Sequence, residues 1–284
     1  MSEIYDIGYR HYDGPRLGRG HTVRALTVHS LRGIFGLGRT ARSKIMPFSL
    51  MAIMLLPAIV SISVMALAKE RLLDYSGFAV IMQAIVAIFL ASQAPTVVAP
   101  DLRFRDLPLY LSRPVTIGEY VAAKVVAMTV ALFLLVAVPL TLIYVGELLI
   151  DMAGEPRTGE YLGAVAMSLV LAVLLASVGL MLASLTPRRG LGVASVITVY
   201  LLSSAAVPVI YGTMEMSGYD SAASWAFLAN PFWLVDAVQV WLFGTPSHAD
   251  GPYPGGPVPA LLVVAFIAAA LAILMLRYRK AASR

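Results

Sequence analysis

Six long apolar stretches, separated by charged segments, constrain the fold of this 284-residue chain more than any other feature. A helix needs about 20 mostly apolar residues to cross the hydrocarbon core of a bilayer. Six stretches reach that length: 47–68, 77–99, 120–145, 161–185, 191–211 and 258–276. Only 13% of the residues are charged, whereas soluble domains carry roughly 25%. The sequence therefore predicts an all-α membrane protein with six transmembrane helices.

Lysine and arginine residues predict the orientation, because they favour the cytoplasmic side of a membrane. With the amino terminus inside, six spans place all but three of the 21 lysine and arginine residues on the inner side. The exceptions are Lys69, Arg71 and Arg157, and the outer loops collect Asp and Glu instead. The first twenty residues are polar and contain no apolar core of a signal peptide. We therefore expect a multi-pass protein of the cell membrane with both termini in the cytoplasm.

The chain before the first span divides into two parts. Residues 1–21 are predicted to be a polar cytoplasmic segment, and 22–46 an amphipathic helix that lies on the inner leaflet. The apolar stripe on one face of that helix consists of Val28, Leu31 and Phe35. Its arginines suit the anionic headgroups of membrane lipids. The alternative is that 22–46 form an ordinary basic segment beside the membrane. Residues 47–284 are predicted to form the transmembrane domain.

The segment 222–243 precedes the last span and has a mixed character. It contains all three tryptophans, Trp225, Trp233 and Trp241, and indole rings prefer the headgroup level of a membrane. It also contains Asn230 and Asp236, which are costly in the hydrocarbon core. We expect outer re-entrant or interfacial helices here, and the alternative is a seventh span that would reverse the later topology.

The sequence contains no pattern typical of a catalytic or metal site. There is no cysteine, and the four histidines, His11, His21, His29 and His248, have no metal-ligand spacing. The run GLGRT at 36–40 resembles a nucleotide-binding phosphate loop only superficially. No span has an ionisable residue near its middle, although proton-driven carriers usually need one. We therefore expect no enzymatic activity, no cofactor, no metal and no nucleic acid partner for this chain. If the chain carries out driven transport, we expect another polypeptide to supply the energy.

Uncharged polar residues do enter the spans. The second and fifth spans contain the candidates for lining a pathway: Gln83, Ser92, Gln93, Thr96, Ser203 and Ser204. Amides and hydroxyls at these positions suit the passage of an amphiphile. They also suit a structural role, in which they satisfy one another or nearby carbonyl groups. The sequence leaves both interpretations open.

The loop 100–120, between the second and third spans, combines charge with a short apolar stripe. The stripe consists of Leu107, Tyr110 and Leu111, and Arg113 follows it. An amphipathic helix of this kind suits insertion into a groove on a partner protein. A solvated loop with incidental leucines is the alternative.

The run LPLYLSRPVTIGEYVAAK, from Leu107 to Lys124, resembles the loop between the second and third spans of type-2 ABC transporter permeases. The layout of nearly the whole chain is similar to that family too, although the family motifs are loose. The resemblance implies that two permeases, identical or paralogous, pair in the membrane and export drugs, lipids, polysaccharides or other amphiphiles. It also implies that each permease docks a separate cytoplasmic ATPase, which binds ATP and Mg²⁺. The docking candidates are Leu107, Tyr110, Leu111 and Arg113 of the cytoplasmic coupling helix.

Two other functions remain open from the sequence. One is a self-sufficient channel or secondary carrier, and the other is a membrane anchor or sensor subunit that transports nothing. The lack of an ionisable residue at the middle of any span argues against a proton-coupled carrier. A sodium site built from carbonyl and hydroxyl oxygens would not need such a residue.

Overall fold

The secondary structure is entirely helical in the part of the chain that the structure describes. This computed structural model describes residues 14, 17–104, 115–150, 154–186 and 188–283. Six of the helices in these ranges are long and apolar enough to cross a membrane. The expectation of an all-α protein with six transmembrane helices is confirmed, and the chain is a multi-pass membrane protein.

The helices are numbered in chain order. The first five are α1 (Arg19–Ile34), α2 (Ala41–Ala68), α3 (Phe78–Ile81), α4 (Gln83–Phe104) and α5 (Ile117–Leu149). They are followed by α6 (Thr158–Leu185), α7 (Arg189–Met216), α8 (Asp220–Ala223), a 3-10 helix (Ser224–Ala229), α9 (Pro231–Phe243) and α10 (Val258–Ala282). The candidate spans are α2, α4, α5, α6, α7 and α10.

Helix α6 is the centre of the bundle, where it packs against α4, α5, α7, α9 and α10. One face of α6 carries small residues that are all buried: Ala164, Ser168, Ala172 and Ala176. Small side chains allow helix backbones to approach closely. One tight contact is with α4, because a Cβ on Gly179 would lie only 2.5 Å from Cδ1 of Leu90. The core of the protein therefore forms around α6, and α7 lies at its edge with only 11% of its apolar stretch buried.

The two ends of the bundle hold different parts of the chain. At one end, here called the N/C end, α1 meets the start of α5 through an ion pair between Arg19 and Glu119, with 3.1 Å from Nη2 to Oε1. The last turns of α10 lie at the same end, where Arg277 donates from Nε to the carbonyl oxygen of Ser184 at 3.1 Å. The described parts of four connections lie at the opposite end: 69–77, 150 and 154–157, 217–230 and 244–257.

Helix α1 is shorter than the amphipathic segment predicted over 22–46. It ends at Ile34, and α2 begins at Ala41, so that residues 41–46 form the first turns of a spanning helix. Gly36 (φ +65°) and Gly38 (φ +83°) form the turn between the two helices. Glycine adopts these left-handed conformations at little cost, which explains why one helix stops and another starts here.

The apolar stripe of α1 packs against the bundle in part. Leu31 and Phe35 contact the core, whereas 45% of Val28 is exposed. The helix packs along α5 and also contacts α4. Its polar residues line a cleft between α1, α4 and α5.

The second span starts later than predicted. The apolar pattern predicts a start at residue 77. In the structure, the short helix α3 ends at Ile81 and the continuous helix α4 begins at Gln83. Met82 separates them, with φ −91° and ψ 10°. The spanning helix then continues to the region of Arg103, beyond the predicted end at residue 99.

The segment before the last span is not one straight helix. The pair formed by Asp220–Ala229 and Pro231–Phe243 is bent by 117°. Asn230 at the bend accepts a hydrogen bond at Oδ1 from the backbone N–H of Phe232 (2.8 Å), which caps α9. Helix α9 has 13 residues and is therefore about 20 Å long, too short to cross a hydrocarbon core of about 30 Å.

Candidate functional site

The four docking candidates, Leu107, Tyr110, Leu111 and Arg113, lie outside the described residues. The described chain resumes at Val115, and the next residue caps α5. Thr116 Oγ1 accepts from the backbone N–H of Glu119 at 3.3 Å, and Glu119 Oε2 accepts from the backbone N–H of Thr116 at 2.8 Å. This reciprocal capping box satisfies two N–H groups at the start of α5. Glu119 also binds Arg19 of α1, so the residue that orders the start of α5 holds α1 as well.

A second polar contact joins α4, α5 and α10 at the N/C end. Lys124 Nζ lies 2.6 Å from Asp101 Oδ2, and it donates to the carbonyl oxygen of Val97 at 2.5 Å. The same carboxylate oxygen accepts from the hydroxyl of Tyr278 at 3.1 Å. Lys124 and the side chain of Asp101 are mostly buried, so each neutralises the other where water has little access. Helices α4, α5 and α10 are thereby linked by one carboxylate.

The candidate pathway residues of α4 and α7 divide into different environments. The amide Nδ2 of the fully buried Asn230 lies 3.4 Å from Oε1 of Gln83 and 3.3 Å from Oγ of Ser204. Two predicted residues therefore meet at the bend before α9. Ser203 instead donates to the carbonyl oxygen of Tyr200 in its own helix at 2.9 Å.

The other three candidates lie at the middle of α4 and just beyond it towards the N/C end. Gln93 Nε2 donates to Ser92 Oγ at 3.1 Å, and Ser92 Oγ donates to the carbonyl oxygen of Phe89 at 2.9 Å. Thr96 Oγ1 donates to the carbonyl oxygen of Gln93 at 2.7 Å and borders an open cleft between α1, α4 and α5. Backbone carbonyls therefore satisfy most of these hydroxyls within the chain.

The opposite end contains a buried charge cluster centred on Glu147, near the end of α5. Its side chain is 1% exposed and binds Arg71, with 2.8 Å between Oε1 and Nη2. The hydroxyl of Tyr75 donates to Oε2, and the backbone N–H of Arg157 lies 3.4 Å from Oε1. A carboxylate this deeply buried is stable only when it is paired and hydrogen-bonded. The cluster thus joins the loop after α2, the end of α5 and the start of α6.

Arg157 extends this cluster to two further acids. Its Nη1 atom lies 2.8 Å from Asp74 Oδ1 and 3.1 Å from Glu160 Oε2. Its guanidinium also lies over the ring of Tyr75, with 5.2 Å between the guanidinium carbon and the ring centroid. Ser76 completes the link, because its Oγ lies 3.4 Å from Oε1 of Glu160.

A neighbouring set of contacts attaches the loop 244–257 to α9. His248 donates from its backbone N–H to Asp236 Oδ2 (3.1 Å), and its Nδ1 lies 3.0 Å from Oδ1. The hydroxyl of Tyr253 donates to Oδ2 of the same carboxylate at 2.5 Å. Asp236 is 3% exposed, so these contacts replace its lost hydration. His248 Nε2 lies 3.5 Å from Ser76 Oγ, which connects this set to the Glu147 cluster.

These contacts shift the protonation of three groups in the loops. The hydrogen bond with Asp236 raises the pKa of His248, against the opposing effect of burial. Burial raises the pKa of Tyr75 above that of an ordinary phenol, and the hydrogen bond to Glu147 raises it further. Burial and the charge of Asp236 likewise raise the pKa of Tyr253. Both phenols therefore stay protonated at neutral pH and serve as hydrogen-bond donors.

The sequence contains a signal for the polar contacts at this end of the bundle. Arg71 and Arg157 were exceptions to the positive-inside pattern, and the outer loops were rich in acids. The structure pairs those two arginines with Asp74, Glu147 and Glu160. The two arginines that depart from the topology pattern therefore both have acidic partners within the chain.

No protein-family model matches this chain, and a search of curated proteins finds no match. Within the described residues, no group of three or more His, Asp or Glu side chains is arranged to hold a metal ion.

Proposed function

We propose that this chain is the permease subunit of an ATP-driven ABC exporter. In this proposal the chain itself is not an enzyme, and a separate cytoplasmic subunit binds and hydrolyses ATP with Mg²⁺. The cargo is an amphiphile, such as a lipid-like or drug-like molecule, that moves outward through the cell membrane. The N/C end is the cytoplasmic end.

The observation that carries the proposal is the set of contacts around the connection 105–114. Asp101 lies immediately before this connection and Lys124 soon after it, and their ion pair fixes the two helices to each other. The capping box of Thr116 and Glu119 orders the return of the chain into α5. A partner that pushes on the connection would therefore move α4 and α5 together rather than bend a loose loop.

The same contacts extend the mechanical connection to other helices. Arg19 links α1 to the start of α5, and Tyr278 links α10 to the end of α4. Helix α4 is also the most buried of the spans, with 67% of its apolar stretch inside the bundle. Its far end meets Asn230 through Gln83. Displacement of α4 would thus reach the bent helix pair at the opposite end.

Pairing with a second permease fits the uneven burial of the spans. Helix α7 has only 11% of its apolar stretch buried within the chain, and it exposes large side chains such as Leu202 (64%) and Val209 (65%). Lipid or a second copy would cover this face. Gln83 and Ser204 share a contact with Asn230, and we assign them with Ser92, Gln93, Thr96 and Ser203 to the pathway side in the assembled exporter.

The test is a mild-detergent purification of the tagged chain from its native membrane, with partners identified by mass. We expect a stoichiometric soluble protein that carries a nucleotide-binding phosphate loop. The variant Tyr110→Ala with Leu111→Asp should lose this partner while it still inserts into the membrane. The matched control, Tyr219→Ala with Leu149→Asp, makes the same changes at exposed sites on the opposite end and should retain it.

Three outcomes would contradict the proposal. Retention of the ATPase by the Tyr110/Leu111 variant would remove the docking assignment. Recovery of the chain without any ATPase, together with transport by the purified chain alone in vesicles, would favour a self-sufficient channel or carrier. Recovery without an ATPase and without transport would favour an anchor or sensor subunit.

A further inference from the structure

A cleft of 760 Å³ lies at the N/C end, between α1 and the spanning bundle. The end of α4, the start of α5 and the turn after α1 form its other walls. This volume falls within the range of about 300–1,000 Å³ that is typical of small-molecule sites. The charged residues and histidines that line it are His21, Arg24, His29, Arg32, Arg39, Asp101 and Lys124.

The described lining carries an excess of positive charge. Lys124 and Asp101 form an ion pair and cancel each other. Arg24, Arg32 and Arg39 remain, and none of their side chains has a hydrogen bond or ion pair to another described residue. Arg24 and Arg32 are exposed and eight residues apart on α1, about 12 Å along the helix axis. Together they give this wall of the cleft a positive charge that attracts anions.

The turn after α1 directs the third arginine back towards the helix. A guanidinium nitrogen of Arg39 lies 3.8 Å from the position that a Cβ on Gly33 would occupy. Gly33 therefore leaves room for this side chain against α1. Guanidinium groups form paired hydrogen bonds with phosphate oxygens, so this wall of the cleft suits a phosphate group.

Apolar side chains lie beside the arginines, as a binding site for an amphiphile requires. Val28 and Leu37 line the cleft and are 45% and 43% exposed. Exposed apolar side chains also lie on the first turns of α2: Ile45 (64%), Met46 (43%) and Phe48 (49%). Because α2 is a candidate span, acyl chains would lie against these side chains in a membrane, next to the end of the molecule that holds the cleft.

We propose that this cleft binds the phosphate group of an anionic phospholipid, with its acyl chains along the start of α2. The proposal stands on the arginines, the volume and the adjoining apolar surface, and it does not depend on the permease function. It assigns a defined lipid site to α1, which is more specific than a general attraction of basic residues to the membrane surface. Basic pockets beside spanning helices are known to suit such headgroups.

The experiment titrates the full chain in a nonionic detergent with phosphatidylglycerol and counts bound lipids by native mass spectrometry. Phosphatidylcholine serves as the comparison lipid, because its trimethylammonium group cancels the phosphate charge. The test variant is Arg24→Gln with Arg32→Gln. The control variant, Arg279→Gln with Lys280→Gln, removes the same charge from exposed positions at the same end of the molecule.

We expect one phosphatidylglycerol to bind preferentially to the unmodified chain. Each cation near an anionic headgroup contributes about 1 kcal/mol, so the test variant should weaken the affinity about 30-fold. The control variant should weaken it by less than about threefold. The single substitution Arg39→Gln should produce an intermediate loss of about fivefold.

Three results would overturn the lipid site. Equal weakening by the test and control variants would mean that only total charge matters. Equal binding of phosphatidylcholine would remove the selectivity for an anion. The third result concerns inorganic phosphate, tested by thermal unfolding in the same detergent. If phosphate stabilises the chain as much as phosphatidylglycerol at equal concentration, the ligand is a soluble anion rather than a lipid.

Discussion

Removal of the Glu147 charge should destabilise the end of the bundle opposite the termini. The carboxylate is 1% exposed and binds both Arg71 and Tyr75. Loss of one partner from a buried ion pair costs about 3–5 kcal/mol, because the other charge remains without compensation. Since 26% of the Arg71 side chain reaches solvent, water offsets part of that cost, and we expect about 3 kcal/mol for Glu147→Gln. A domain of this size loses about 2–4 °C in Tm per kcal/mol, which gives about 6–12 °C.

Thermal unfolding in one detergent, followed by the fluorescence of the three tryptophans, measures this shift. Glu155→Gln is the matched control, because this acid lies on the loop that follows α5 and is exposed, and the change should stay within about 0.5 kcal/mol. The double variant Arg71→Gln with Glu147→Gln should recover part of the loss, since no unpaired charge then remains. If Glu147→Gln lowers Tm no more than Glu155→Gln, the cluster does not hold this end together.

Three further predictions concern a titration, a close helix contact and the orientation. The pKa of His248 is raised in the folded protein. The charged ring therefore stabilises the folded protein fully below about pH 6.5, and this stabilisation is lost as pH rises through the raised pKa. The Tm difference between the unmodified chain and His248→Gln should therefore shrink with rising pH, and a constant difference would contradict the assignment. Gly179→Ala should destabilise the protein by about 1–3 kcal/mol in the same assay, whereas Gly159→Ala, which has open space at its Cβ, should not. A single cysteine at Ser247 should react with an impermeant thiol reagent from outside the cell and one at Ser283 should not; both positions are exposed and the chain has no other cysteine.

The six spans could be predicted because a bilayer demands length and apolarity, and both are visible in a single sequence. Their ends were harder to predict, because side-chain contacts set them. Thr116 and Glu119 start α5 several residues before the apolar stretch does. At the start of the second span, α3 and α4 are separate helices where the apolar pattern is continuous through Met82. Hydropathy contains no information on such breaks.

The polar clusters could be predicted only in part. The sequence marked Arg71 and Arg157 as exceptions, but it did not specify their partners, which come from the connection after α2, the end of α5 and the start of α6. Asn230 was identified as costly in a membrane, yet its contact with Gln83 joins residues 147 positions apart. Such pairs depend on how the helices pack, and one sequence without tertiary contacts cannot supply that packing. The docking candidates Leu107, Tyr110, Leu111 and Arg113 stay predictions, since they lie outside the described residues.

The pairing of Asp101 with Lys124 has a consequence for how the chain enters the membrane. Each charge lies near the end of its own apolar helix, and a helix that inserted alone would carry that charge unpaired towards the bilayer. Biological insertion scales assign up to about 2.5–3.5 kcal/mol to a charge at the centre of a helix, and less towards its ends. Because the partners lie 2.6 Å apart in the folded chain, insertion of α4 and α5 as one helical hairpin avoids this cost for both. Joint release of the two helices from the translocon would therefore cost less free energy than release one by one. The order of synthesis, α4 directly before α5, makes joint release possible.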